Sequence, residues 1–185
     1  MKKLLLSASM LMLAGASAFA VTDGQTYESV DGINCENLWV FDRQHTEDVY
    51  KANPIASTSA RTATTDGTTV YVGLSGETAT IEKFDLKTGA YLGSLALTKG
   101  GEAFKGSLAV NQVGFDEYGH FYAATYSVNS KGDGQYEVYT VDLTTGAVTS
   151  VGDLFFDGGT GRIDYCDVIG DITGVEANAT VMAVT

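Results

Sequence analysis

Histidine and cysteine are scarce in this chain, two of each among 185 residues. A Ser-His-Asp or Cys-His catalytic arrangement must therefore use His45 or His120. Neither sits in a nucleophile motif. His45 falls in the polar stretch Arg43-Gln44-His45-Thr46-Glu47 and His120 at the turn into a strand, where a surface role is expected. Two distant cysteines and two histidines at no recognisable spacing are poor material for a zinc site. The glycine-rich Asp157-Gly158-Gly159-Thr160-Gly161 lacks the Lys-Ser/Thr ending of a phosphate loop, so it is read as a connection. No catalytic residue, metal ligand or cofactor is assigned. Basic residues are also few, 11 Lys and Arg against 23 Asp and Glu, for a formal charge of −12. Such a balance opposes phosphate-backbone binding, which needs Lys and Arg to displace counterions. Nucleic acid and an anionic membrane surface are excluded as expected partners. The apolar run Leu4 to Leu13 is shorter than the ~20 residues of a membrane span, so no membrane insertion is expected.

That run does fit a secretory signal over residues 1–20. Lys2 and Lys3 form the charged start, and Ala18-Phe19-Ala20 the small-x-small cleavage site. The chain is expected to be exported to the periplasm or the medium, with the short Lys-Lys start pointing to a bacterial source. Removal of the signal takes the formal charge from −12 to −14, because Lys2 and Lys3 leave with no acid. The acids are read as a solvated surface that keeps an exported protein in solution, with cation or Ca²⁺ binding as the alternative.

Proline occurs once, at Pro54, while glycine occurs 22 times. With abundant Thr, Val and Tyr, this composition suits short strands joined by tight turns, and an all-β chain is expected. Two stretches nearly repeat each other. Thr65 to Val72 leading to Ile81 to Gly89 is matched by His120 to Ala124 leading to Tyr139 to Gly146. A repeat of roughly fifty residues made of short strands and glycine turns marks a β-propeller blade. Four strands are expected in the first copy, near 60–65, 69–73, 80–85 and 90–96, and four in the second, near 107–115, 120–126, 137–142 and 147–153. About six extra residues of the second copy fall at Asn129 to Gly134. Asp85 to Gly89 and Asp142 to Gly146 are read as hairpin turns, the carboxylate accepting main-chain N–H groups and the glycine supplying a positive φ.

A third copy begins over 161–185, and Asn37 to Arg43 reads as a single strand of a preceding blade. The expected fold of 21–185 is a partial β-propeller, with complete blades near 60–96 and 107–153 and partial blades near 37–43 and 161–185. Such an arc leaves sheet faces open. A longer parent chain resolves this first. A homodimer closing a six-bladed ring, or a sandwich of the same strands, are the alternatives.

Val70-Tyr71-Val72 followed by Ile81 to Leu92 resembles the YVTN-type, quinoprotein-like β-propeller repeat, with a Tyr-Val strand, an Ile-Asp-like strand, Thr-Gly and a closing strand. The match departs at Gly73-Leu74, and the second copy is looser. From about Tyr27 onward the chain also resembles the N-terminal part of secreted propeller-like proteins from Bacteroidota. That resemblance implies more blades and carries over no catalytic residues.

Cys35 and Cys166 could pair in an oxidising compartment, closing a long loop that would stabilise by ~4 kcal/mol on the chain-entropy model. Two separately buried thiols are the favoured reading. Arg61, Gln112 and Arg162 stand near the starts of the innermost strands of the three copies. They are the candidate ligand-binding residues, for an anionic or sugar ligand. Pairing with acids such as Asp164 is the stronger competitor. The leading expectation is an exported, non-enzymatic binding or scaffold module for a protein or glycan. The alternative is a hydrolase or lyase acting in the channel of a complete ring.

Overall fold

A computed structural model describes residues 26–28, 34–36, 38–41, 50–51, 55, 60–105, 109–125, 134–156 and 165–184. Among them the chain is all-β, with no helix, and therefore with no helix long and apolar enough to cross a membrane. It divides into two compact units, Met1–Asn53 and Pro54–Thr185.

In the first unit β1 (Thr26–Glu28) and β2 (Asn34–Glu36) pair antiparallel. There, β3 (Val40–Phe41) pairs in parallel with β4 (Tyr50–Lys51). The strand expected near 37–43 is thus one of a pair rather than single.

The second unit opens with a four-stranded antiparallel meander: β5 (Ala60–Thr65), β6 (Thr69–Leu74), β7 (Thr80–Asp85) and β8 (Tyr91–Ala96). A short hairpin follows, β9 (Thr98–Lys99) and β10 (Glu102–Ala103), turned by Gly100 and Gly101 with φ of +61° and +87°. Two successive positive φ values are what a two-residue hairpin loop needs. A second four-stranded meander comes next: β11 (Gln112–Phe115), β12 (Phe121–Ala124), β13 (Gly134–Val141) and β14 (Val148–Phe156). The antiparallel hairpin β15 (Tyr165–Ile169) and β16 (Thr180–Val184) ends the described chain. The first meander follows the expected strand limits within a residue. In the second, β11 starts at Gln112 rather than near 107, and β13 and β14 are longer than expected. Most of the six-residue insertion, and the connection at 157–161, lie outside the described residues.

The meanders stack because strand side chains alternate between faces. Phe121 and Ala123 enter one apolar cluster with Tyr71, Ile81 and Val113, which joins the first meander to the second. Their neighbours Tyr122 and Ala124 enter another, with Cys166, Val168 and Val181 of the hairpin. The second meander is therefore covered on both faces, and all four residues of β12 are buried. Full burial of a side chain such as Ile81 contributes about 1.5–3 kcal/mol.

The first strands of the three segments line up, β5 beside β11 and β11 beside β15. The Val113 N–H donates to Thr62 Oγ1 at 3.1 Å across the first of these junctions. Close approach requires Gly73, where a Cβ would stand 2.5 Å from Val110 Cγ1. Among the described residues no sheet closes on itself.

Candidate functional site

The turns between first and second strands share one local chemistry. Each holds an aspartate: Asp66 between β5 and β6, Asp116 between β11 and β12, and Asp171 between β15 and β16. Asp66 Oδ1 accepts the N–H groups of Thr68 and Thr69, both at 2.8 Å, and its Oδ2 accepts the Tyr71 hydroxyl at 2.8 Å. The main-chain N–H of Thr69 does most to hold this carboxyl far below its usual range.

The second and third turns are joined. Asp116 Oδ1 accepts the N–H groups of Tyr118 and His120, at 2.9 and 2.8 Å. Its Oδ2 reaches across to the Ile172 N–H at 2.9 Å. Asp171 Oδ1 accepts the Thr173 N–H and hydroxyl at 2.8 and 2.6 Å, and its Oδ2 the Glu176 N–H at 2.7 Å. Between the two carboxylates lies His120, whose Nδ1 is 2.9 Å from Asp116 Oδ2 and 3.1 Å from Asp171 Oδ1. With only carboxylate oxygens around it, Nδ1 must carry a proton and share it between them. In the neutral ring Nε2 is then an acceptor.

Both carboxylates are buried, Asp171 completely. Burial pushes each upward. For Asp116 the N–H groups of Ile172 and His120 outweigh it and hold the carboxyl below its ordinary 3.8. For Asp171 the Thr173 hydroxyl and the Glu176 N–H outweigh it, and the carboxyl settles at about 2.

His120 side chain is 39% exposed, with its Nδ1 edge turned to the carboxylates. It borders an open cleft of about 350 Å³ together with Phe121, Val141, Asp142, Leu143 and Thr173. Asp142 belongs to one of the two expected hairpin turns, whose chemistry is as read from the sequence. Asp85 Oδ1 accepts the N–H groups of Lys87 and Thr88 at 3.1 and 2.7 Å, and Asp142 Oδ1 those of Thr144 and Thr145 at 2.7 and 3.2 Å. Gly89 and Gly146 close the loops with φ of +67° and +77°.

Asp116, His120 and Asp171 offer ligand atoms within 4.8 Å of one another, close enough to surround a cation. The donor set does not suit one. Every carboxylate oxygen already accepts a main-chain N–H, and Nδ1 faces them as a donor. The trio is a hydrogen-bonded tie between two turns.

His120, expected at a turn with a surface role, meets two carboxylate partners that no local motif announces. The available signal was the aspartate recurring at the first turn of all three copies. Glu82 is a further buried acid that no local motif announces. It is buried on β7 and satisfied by hydroxyls alone: Thr80 at 2.7 Å, Ser94 at 2.7 Å and Tyr91 at 2.6 Å.

Of the residues singled out from sequence, Arg61 lies at the exposed start of β5, its Nη1 3.5 Å from Asn111 Oδ1. Neighbouring Gln112 begins β11 half-buried and donates to the Val113 carbonyl at 3.2 Å. The structure thus brings Arg61 to the segment leading into β11, while Arg162, Asp164 and His45 lie outside the described residues. Cys166 is buried on β15. Cys35 sits on β2, opposite Tyr27, with its side chain outside the described residues.

Among the described residues, fold and site together define an all-β chain with two antiparallel four-stranded sheets and aspartate-anchored turns. In comparisons with known proteins, no family model matches the sequence, no curated protein matches it and no solved structure matches it.

Proposed function

We propose that the chain is an exported β-propeller module of the binding or scaffold kind, taking a protein or a glycan as partner. The observation that carries this reading is the order of stacking. β5–β8, β11–β14 and β15–β16 follow one another in chain order, face on face, with β5, β11 and β15 side by side. Successive blades around a propeller axis are arranged in this way. Further blades, from more chain or from a second copy, complete the ring in this reading.

Binding rather than turnover is supported by how the buried carboxylates are used. Asp116 and Asp171 are bound to turn N–H groups, and the cleft they support is open and lined by Phe121, Val141 and Leu143 as well as polar groups. Export is supported by the three-part pattern of residues 1–20.

Expression of the whole chain in a bacterium tests both halves. The exported product is expected to begin at Val21 and, on an array of oligosaccharides and peptides, to retain ligands that His120→Ala and Leu143→Ala variants retain less. Oligosaccharides should come off the protein with unchanged mass. Shortened oligosaccharides would turn the reading to the hydrolase, and a chain kept inside with residues 1–20 attached would contradict export.

A further inference from the structure

The sequence contains a single Asn-x-Ser/Thr triplet, Asn178-Ala179-Thr180, with Glu176 two residues ahead of the asparagine. All of Glu176, Asn178 and Thr180 are exposed, on the connection that leads from β15 into β16. Thr180 is the first residue of β16 and pairs with Ile169. The backbone around them is held in place. Gly170, with φ of +89°, crosses so close to the Asn178 carbonyl that a Cβ there would collide with it, and Asp171 ties the loop through the Glu176 N–H.

An asparagine in a turn ordinarily folds its carboxamide onto a nearby main-chain group. Side chains earlier in this loop behave so, Asp171 bonding the Thr173 N–H and Thr173 Oγ1 accepting the Val175 N–H. Asn178 does not. Its carboxamide, the Thr180 hydroxyl and the Glu176 carboxylate have no hydrogen-bond partner among the described residues. A triplet of this kind on the surface of an exported protein is the acceptor pattern for N-linked glycosylation.

We propose that Asn178 is an acceptor for an oligosaccharide carried on a polyprenyl pyrophosphate. The inference rests on the export reading above, since glycan transfer of this kind acts on exported chains. Asn178 Nδ2 attacks C1 of the first sugar, forming the N–C1 bond. The bond from C1 to the pyrophosphate oxygen breaks, and its electron pair leaves with the polyprenyl pyrophosphate. One Nδ2 proton passes to a base of the transferase, so no redox partner is needed. The Thr180 hydroxyl is the contact by which the transferase reads the triplet. Glu176 offers a carboxylate to an enzyme with a basic subsite ahead of the asparagine.

The test uses the purified, folded chain, a bacterial N-oligosaccharyltransferase and a polyprenyl-pyrophosphate heptasaccharide, followed by intact mass and peptide mapping. One glycan per chain is expected, on Asn178, lost in Asn178→Gln and Thr180→Ala and reduced in Glu176→Gln. All three substitutions fall on exposed side chains, and unchanged circular dichroism confirms that the variants fold. An unmodified chain, alongside efficient modification of the free peptide 174–182, would overturn the proposal by showing that the fold hides the site. A glycan that persists in Asn178→Gln would overturn it also. Since the reaction is run on purified protein, its outcome is independent of cell fractionation, which alone decides export.

Discussion

At the residue scale His120 is the link between two turns. It shares one proton between Asp116 and Asp171 and so joins the turn of the second meander to that of the hairpin. His120→Ala leaves two buried carboxylates short of a donor and is expected to cost about 1–3 kcal/mol. The loss should be local. In amide exchange, β15 and β16 should open faster while β6 and β7 keep their protection. Asp171 makes a second prediction through its carboxyl at about 2, against an ordinary 3.8. Between those values the unfolded chain binds more protons than the folded one, so stability rises with pH there. The contribution is complete above 3.8 and disappears as pH falls toward 2. Denaturant titrations between pH 5 and 2 should show this slope, and Asp171→Asn should reduce it, with Asp66 and Asp116, also held below their ordinary value, contributing to the remainder. Another buried polar contact belongs at this scale. Tyr139 donates to the Ala109 carbonyl at 2.5 Å inside the core, and Tyr139→Phe is expected to cost about 1–2 kcal/mol in chemical denaturation.

At the element scale the strands of both meanders were legible because their alternation and turn residues occur twice. Val70-Tyr71-Val72 and the Asp-to-Gly loops each carry their physical reason within a few residues. The Asp116–His120–Asp171 tie was not legible, because it joins turns about fifty residues apart through packing that no local period encodes. The parallel pairing of β3 with β4 escaped for a related reason: two-residue strands carry too little pattern to announce a partner. Glycine content was legible as a sign of turns, yet Gly73 and Gly114 serve packing instead. A Cβ at Gly114 would stand 2.5 Å from Tyr122 Cζ, with the Tyr122 hydroxyl nearer still, whereas one at Gly152 would meet nothing within 4 Å. Gly114→Ala is therefore expected to destabilise by about 1–3 kcal/mol through overpacking. Gly152→Ala should be close to neutral, and urea midpoints of the two variants compare them directly.

At the largest scale, the successive antiparallel sheets of the second unit stack in chain order with their first strands adjacent. A sandwich of the same strands would pair the sheets differently, and secondary-structure content would not tell the two apart. Inter-sheet NOESY cross-peaks in the isotopically labelled protein do. This stacking predicts contacts of Thr62 with Val113, of Tyr71 with Phe121, and of Tyr122 and Val138 with Cys166 and Val168. Cross-peaks joining β5 to β15 directly, with none between Thr62 and Val113, would contradict it.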